Sequence, residues 1–175
     1  MSFRFLCPVL VSLVLGCVAS PVLAEWHRFS DSAMTTPVEL EFYSDALDKD
    51  SAQQLWQRVF GQFTRVDQVM SRYREDSELS RVNREAALGP VVISAGLFEV
   101  LAEAERISEL SGGAFDISFA SVGHLYDYRA GRQPTADEIR PLLARISYRD
   151  VWLDPEASSV AFARDGLMLD LGGIA

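Results

Sequence analysis

The segment Ser111–Ser118, which reads Ser-Gly-Gly-Ala-Phe-Asp-Ile-Ser, constrains the fold of this chain more than any other stretch. A long helical pattern stops at Gly112 and Gly113, where the backbone can adopt positive φ angles and approach a partner closely. Asp116 follows between two apolar residues, and a carboxylate buried there must find hydrogen-bond partners. This segment alone allows two interpretations, a helix C-cap followed by a strand or a loop that binds a ligand.

Hydrophobic periodicity predicts both helices and strands after residue 24. Apolar residues at helical spacing predict helices over 51–70 and 94–110, and Leu79 and Val82 predict a short helix between them. Strand-like runs lie at residues 38–43, 91–93, 151–153, 160–162 and 167–171. We therefore expect an α+β fold with an antiparallel sheet and helices packed on one face.

Short polar motifs predict where several of these elements begin. Asp50 or Ser51 is expected to cap the first long helix, and Ser94 is expected to cap the second. Asp165-Gly166 is a hairpin signal, because this dipeptide favours a tight turn between two strands. The last two strand-like runs are therefore predicted to pair with each other.

A third helix is predicted from a capping-box spacing near residue 135. Thr135 and Glu138 stand three residues apart, so each side chain can bond the other's backbone N–H. The helix is expected to run through Ile146, but Pro141 follows its first turn. Because proline lacks the N–H and clashes with the preceding turn, we expect this helix to bend or to start late.

The polar stretch between the two long helices, residues 70–83, has two interpretations. Such a density of polar side chains is usually a solvated connection between elements. It can also carry ligand contacts, if other segments of the fold bring a cleft to it. Asn83 is expected to stabilise its own turn.

Composition limits the classes of function. The chain has 175 residues, of which 49% are hydrophobic and 23% charged, which is typical of a globular domain and excludes disorder. The net charge is −9, and binding to phosphate backbones requires clustered basic side chains. The composition therefore argues against a nucleic-acid partner.

The N-terminus is predicted to be a secretory signal rather than part of the fold. Arg4 precedes an apolar run over residues 5–19, and a small-residue exit ends at Ala24. We expect residues 1–24 to be the signal peptide and residues 25–175 to be the folded part. An alternative is a lipoprotein signal whose lipidated residue is Cys17. A chain cleaved after Ala24 has no cysteine, because Cys7 and Cys17 both lie upstream.

Five stretches, taken in order, resemble the ApbE family of FAD:protein FMN transferases. Two of them match family segments closely, and the other three carry single replacements, with Thr35 for a glycine, Ser118 for a threonine and Tyr126 for a tryptophan. The five stretches are residues 33–36, 70–83, 111–118, 122–128 and 169–175. The resemblance covers nearly the whole chain after the signal, and only the front half of the family's usual length.

The resemblance implies a function and a set of site residues. Family members transfer FMN from FAD to a threonine of a partner flavoprotein, release AMP and require Mg²⁺. By position, the FAD contacts fall on Met34, Tyr73, Ala114, Phe115, Asp116 and Asp170. The metal contact, through a backbone carbonyl, falls on Gly173. Aromatic and thioether side chains can pack on flat rings, and carboxylates can accept hydrogen bonds from ring N–H groups or ribose hydroxyls.

The resemblance also implies what residues 25–175 do not supply. In the family, the histidine that activates the acceptor threonine and the side chains that hold the metal lie in the later half. We therefore assign no catalytic residue here, and expect the acceptor-activating histidine beyond Ala175. His124 lies in a different motif and is expected to be structural. The export signal implies a periplasmic protein, or an inner-membrane lipoprotein that faces the periplasm. The alternatives are a flavin-binding module without catalytic activity, a truncated inactive product, and a secreted α+β domain without a ligand.

Overall fold

The computed structural model describes residues 24–34, 36–127 and 130–174. Its first element is a long hairpin of strands β1 (Glu25–Ala33) and β2 (Thr36–Ser44), paired antiparallel over nine residue pairs. The sequence predicted the second strand and missed the first, because polar residues interrupt the alternation of β1. The predicted signal segment up to residue 23, both cysteines and Thr35 lie outside the described residues.

Helix α1 (Lys49–Met70) follows the hairpin and supports it. The Phe29 ring of β1 stacks on Trp56 of α1 with centroids 5.8 Å apart. The helix begins two residues earlier than predicted, and the Asp48 carboxylate accepts the hydrogen bond from the Ser51 N–H at 2.8 Å. The predicted cap at Asp50 or Ser51 was therefore wrong. An N-cap side chain accepts from an amide two or three residues later, and here the side chain that does so is Asp48.

The short predicted helix and the second long helix are both confirmed. Helix α2 (Glu78–Glu85) is capped by Ser77, and its Leu79 and Val82 are fully buried. Helix α3 (Ala95–Leu110) is capped by Ser94, as predicted. These two helices supply much of the apolar core.

The second sheet has three short antiparallel strands in the order β3-β5-β4. They are β3 (Val91–Val92), β4 (Val151–Asp154) and β5 (Ser159–Phe162), in agreement with the predicted runs. Val160, at the centre of β5, pairs with Val91 on one side and Leu153 on the other. The buried residues of this sheet join those of α2 and α3 in one core, which confirms the predicted α+β class.

The predicted third helix forms only one α-helical turn. Helix α5 (Ala136–Ile139) begins with the predicted capping box of Thr135 and Glu138. From Arg140 to Arg145 the chain continues as a 3₁₀ helix that contains Pro141 near its start. The α-helix ends there because proline cannot donate the next backbone hydrogen bond. The single turn of α4 (Ala120–Gly123) lies between α3 and α5 in the chain.

The run over residues 167–171 is extended but does not pair with another strand. Its burial alternates as in a strand, with Leu167, Leu169 and Leu171 buried. Gly166 turns the chain at φ 74°, so the turn predicted at Asp165-Gly166 exists, but the predicted hairpin does not. Side chains and the backbone of other elements take the place of a partner strand, as described below. None of the described helices is long and apolar enough to cross a membrane.

Candidate functional site

A cleft of about 330 Å³ lies between the loop that follows α3 and the segment at residues 170–173. Apolar side chains and backbone form most of its wall, and two carboxylates project from it. Its lining residues are Gly113, Ala114, Phe115, Asp116, Ile117, Phe119, Ile146, Asp170 and Gly173. The two walls approach each other closely, since a Cβ on Gly173 would lie 3.8 Å from Cε2 of Phe115. A mostly apolar cleft with a few polar groups is the usual form of a small-molecule site.

The first wall is the loop that follows α3, and two consecutive glycines begin this loop. Gly112 and Gly113 have φ angles of 62° and 86°, and the Gly113 N–H donates to the Ser108 carbonyl at 2.8 Å, which ends helix α3. The Ser111 hydroxyl then accepts from the Phe115 N–H at 3.0 Å and closes the loop. The Tyr148 ring packs beside Gly113, where a Cβ would lie 3.4 Å from it. This segment is therefore held in one conformation with Phe115 facing the cleft.

Asp116 lines the cleft and links its loop to neighbouring segments by hydrogen bonds. One carboxylate oxygen accepts from the backbone N–H and the hydroxyl of Ser118, at 2.8 and 2.6 Å. The other oxygen accepts from the Tyr148 N–H at 2.9 Å. A carboxylate has about four acceptor positions, and hydrogen bonds within the described residues use three of those on Asp116. Asp116 caps a 3₁₀ helix at residues 117–119, so the interpretation of a strand after the glycines was wrong.

The second wall is the extended segment at residues 167–173, which Asn83 holds from helix α2. The Asn83 amide donates to the Leu169 carbonyl at 3.0 Å and accepts from the Leu169 N–H at 2.8 Å. One side chain thus copies the pairing of a neighbouring strand. The Ser121 hydroxyl accepts from the Met168 N–H, and the Ile117 carbonyl accepts from the Asp170 N–H. Asn83 does not merely stabilise its own turn, as the sequence had suggested.

An ion pair joins the polar stretch after α1 to the cleft. Arg72 Nε lies 2.5 Å from Asp170 Oδ2, and both side chains are less than one-fifth exposed, at 17% and 18%. The same guanidinium donates to the Tyr73 hydroxyl at 2.7 Å and lies 4.2 Å from the centre of the Tyr73 ring. The other Asp170 oxygen accepts from the Gly172 N–H. This ion pair connects the Tyr73 ring to the cleft through Arg72 and Asp170.

Five of the seven predicted site residues line this one cleft. They are Ala114, Phe115, Asp116, Asp170 and Gly173. Tyr73 is 79% exposed beside the cleft and is linked to it through Arg72. Met34, also exposed, lies at the turn of the β1–β2 hairpin and does not line the cleft. The roles of all seven residues in binding a ligand stay predictions.

The sequence missed several residues that shape the site. Phe119 and Ile146 line the cleft, and Arg72 pairs with Asp170. Ile146 comes from a distant segment, so no local pattern could have placed it beside Phe115. Phe119 could have been predicted to lie at the cleft, because it is an aromatic residue directly after the glycine motif and three residues after Asp116.

His124 does not line the cleft, and its ring makes a local contact. Its Nδ1 lies 3.0 Å from the Ala120 carbonyl, within the α4 turn.

Residues 24–34, 36–127 and 130–174 contain no group of three or more His, Cys, Asp or Glu side chains placed to hold a metal ion. Gly173 can offer one backbone oxygen, but both Asp170 oxygens are engaged, so the described residues alone do not form a magnesium site.

Comparison with known proteins decides the family. The sequence model of the ApbE family matches residues 34–175, which include every residue that lines the cleft. The chain belongs to the ApbE family.

Two curated relatives, both named FAD:protein FMN transferase, resemble it at the sequence level. The protein from Haemophilus influenzae is 26% identical over 95% of this chain and 50% of its own length. The protein from Treponema pallidum is 32% identical over 68% of this chain and 35% of its own length.

Solved structures of ApbE proteins share the fold. The ApbE protein from Thermotoga maritima superposes with a TM-score of 0.75 at 23% identity, over 86% of this chain and 48% of that chain. The flavin transferase ApbE from Vibrio cholerae gives a TM-score of 0.73 at 24% identity, over 85% of this chain and 48% of that chain. At this identity, the likeness shows the fold alone. The chain spans about half the length, or less, of the relatives that it matches.

Proposed function

We propose that this ApbE-family chain takes part in covalent flavinylation, the transfer of FMN from FAD to a threonine of an exported flavoprotein with release of AMP. The observation that carries the proposal is the match to the ApbE family over residues 34–175 together with the cleft inside that match. The relatives from Haemophilus influenzae and Treponema pallidum carry the name FAD:protein FMN transferase, which supports the same reaction. FAD and an acceptor protein are therefore the proposed partners.

The cleft offers FAD two kinds of contact. Phe115 provides an apolar surface for a flat ring, since aromatic rings stack on planar π systems. Asp116 keeps one acceptor position free, which suits a ring N–H or a ribose hydroxyl. Asp170 lies on the opposite wall, where Arg72 balances its charge. We propose that Tyr73 and Met34 complete the site from outside the cleft.

Magnesium is proposed as the accompanying ion, in line with the family resemblance. It prefers six oxygen ligands and often keeps several waters while it bridges phosphates. The Gly173 carbonyl would be its ligand from the cleft, and substrate phosphates and water would supply others. Bound Mg²⁺ would neutralise phosphate charge. A calorimetric titration with Mg²⁺ tests this, since tight binding should require FAD to be present.

The reaction itself is tested by incubating the chain with FAD, Mg²⁺ and a threonine-containing acceptor flavoprotein. The proposal expects AMP in the supernatant and a mass gain of one FMN on the acceptor. The same mixture with the threonine replaced by alanine is the control. FAD that stays intact in the presence of a folded chain and a competent acceptor would contradict transfer by this chain.

A second candidate function is flavin binding without catalysis. The observation that favours it is the cleft itself, whose lining residues Phe115, Asp116 and Asp170 suit flavin binding by itself. This candidate predicts saturable FAD binding with no AMP release, so the same incubation separates the two functions.

The proposed location is outside the cytoplasm. The N-terminal pattern that ends at Ala24 supports export to the periplasm, and Cys17 supports the alternative of a lipoprotein on the inner membrane. Mass spectrometry of the protein from its native source distinguishes them. A mature N-terminus at Glu25 indicates simple secretion, and a lipid-modified Cys17 indicates membrane attachment. An intact Met1 would contradict both.

A further inference from the structure

Phe119 is a large apolar side chain that the fold leaves in water at the cleft. It lines the cleft and is 48% exposed. Exposing a phenyl ring forfeits the free energy that its burial would supply. Phe119 therefore stands out from Ile117, two residues earlier on the same 3₁₀ helix, which is buried in the core.

Gly123 sets the position of the Phe119 ring. A Cβ built on Gly123 would lie 2.7 Å from Cε2 and 2.9 Å from Cδ2 of Phe119, which is closer than non-bonded carbons approach. The ring therefore lies against the backbone of α4 at a place that only glycine leaves open. An alanine there would force the ring to a new position.

The backbone under Phe119 is also fixed. Its 3₁₀ helix is capped by Asp116, and the Ser118 hydroxyl accepts from the Ser147 N–H at 2.7 Å. Asp116 itself holds the Tyr148 N–H, so two hydrogen bonds tie this turn to the following segment. Phe119 is thus an exposed aromatic ring on a rigid base, with the free acceptor position of Asp116 on the same turn.

We propose that Phe119 is a substrate-binding residue that stacks on a planar heteroaromatic ring in the cleft, and that Gly123 is the positioning residue that makes room for its phenyl ring. The inference rests on the proposed binding of FAD, and it names a ring contact beyond the residues assigned from the family resemblance. Two parts of FAD have the required chemistry, the isoalloxazine and the adenine. Stacking would cover the exposed face of Phe119 and recover its burial.

The test measures dissociation constants of the chain for FAD, riboflavin and AMP by fluorescence and calorimetry. Phe119→Leu keeps an apolar side chain and removes the planar ring, and it is expected to weaken FAD binding about three- to tenfold. Phe119→Tyr keeps the ring and should bind as the wild type does. Leu143→Ala is the matched control, because Leu143 is similarly exposed, at 52%, and does not line the cleft.

The two smaller ligands identify the ring. A loss confined to riboflavin supports stacking on the isoalloxazine, and a loss confined to AMP supports stacking on the adenine. Gly123→Ala should weaken the same ligand, but should add nothing in a chain that already carries Phe119→Leu. Such non-additivity is the signature of two residues that act through one contact.

Two results would overturn the stacking role of Phe119, and they have different consequences for the proposed function. If the wild type binds FAD and Phe119→Leu binds it within twofold, the stacking role is wrong while the proposed function stands. If the folded wild type binds none of the three ligands, the proposed function fails and the stacking role fails with it. Additive losses from Gly123→Ala and Phe119→Leu would remove the positioning role of Gly123.

Discussion

At the scale of single residues, Asp116 has a structural role in the loop, and we propose a second role for it in ligand binding. Its carboxylate accepts three hydrogen bonds, two from Ser118 and one from the Tyr148 N–H. The sequence predicted that this acid would need partners, and it found them within the protein. The acceptor position that remains is the part of Asp116 that can contact a ligand.

Asp116→Ala is expected to lower the free energy of unfolding by about 2–3 kcal/mol, because three donors lose a charged acceptor. Asp116→Asn should cost less, since its single oxygen can serve either Ser118 or Tyr148 but not both. Urea denaturation measures both values. FAD affinity, measured on the folded variants, should also fall. Wild-type stability in Asp116→Ala would contradict the structural role, and unchanged FAD affinity would remove the ligand role.

Asn83 shows how one side chain replaces a missing strand partner. Asn83→Ala should cost about 2 kcal/mol of unfolding free energy, because the buried Leu169 N–H and carbonyl both lose their partner. Asn83→Asp should also be costly, since a carboxylate oxygen would face the Leu169 carbonyl. Gln53→Ala, at an exposed position on α1, is the control. Thermal melts that coincide for wild type and Asn83→Ala would show that the 167–173 segment needs no such partner.

At the scale of elements, the end of α3 decides where the cleft lies. Gly112 and Gly113 both have positive φ angles, and two residues later the Phe115 ring lies against the 167–173 segment at Gly173. A side chain with a Cβ is strained in this conformation. The glycine pair is therefore a requirement of the site geometry and not only a helix stop.

The same substitution at two glycines should have opposite effects. Gly113→Ala is expected to destabilise by about 1–2 kcal/mol, because alanine at a φ of 86° is strained and its Cβ meets the Tyr148 ring. Gly61→Ala, inside α1 with open space around it, should stabilise by about 0.5–1 kcal/mol. Chemical denaturation of the two variants measures the contrast. A stabilising Gly113→Ala would mean that the loop does not need its left-handed conformation.

Much of the element content could be predicted from sequence, and the failures have physical causes. The predicted N-caps at Ser94 and Thr135 are confirmed, because capping depends on hydrogen bonds between residues that are close in sequence. The run at residues 167–171 was misread as a hairpin strand, because its pattern of buried leucines is that of a strand. Its partner is Asn83, a side chain 86 residues away, and no local pattern reveals such a contact.

For the candidate site too, residues in local motifs could be predicted, and residues placed by long-range contacts could not. The glycine motif and Asp170 were found because each lies in a short segment with a recognisable order of residues. Ile146 was missed, because only the tertiary fold brings it to the cleft. Arg72 was missed for the same reason, since its partner Asp170 is 98 residues away.

At the scale of the whole molecule, the chain divides into a hairpin with its helix and a core that carries the cleft. Strands β1 and β2 form their own sheet, separate from β3-β5-β4. The aromatic stack of Phe29 on Trp56 is a principal contact between the hairpin and α1. The cleft lies wholly within the second part.

Phe29→Ala should therefore loosen the hairpin without opening the core. Amide hydrogen exchange is expected to speed up in β1 and β2 by about tenfold or more, since an aromatic pair contributes about 0.5–1.5 kcal/mol beyond its burial. Exchange in β5 should stay unchanged. Ser30→Ala is the control, because Ser30 lies next to Phe29 on the same strand and is exposed. Equal acceleration in β5 would show a single cooperative unit instead.

The central claim is that the cleft between the α3 loop and the 167–173 segment binds FAD. Hydrogen exchange of the chain with and without saturating FAD, resolved by mass spectrometry, tests it most directly. If FAD binds there, exchange should slow at residues 113–119 and 170–173, and the amides of β4 should not change. Protection confined to other segments, or none at all in the presence of bound FAD, would contradict the claim.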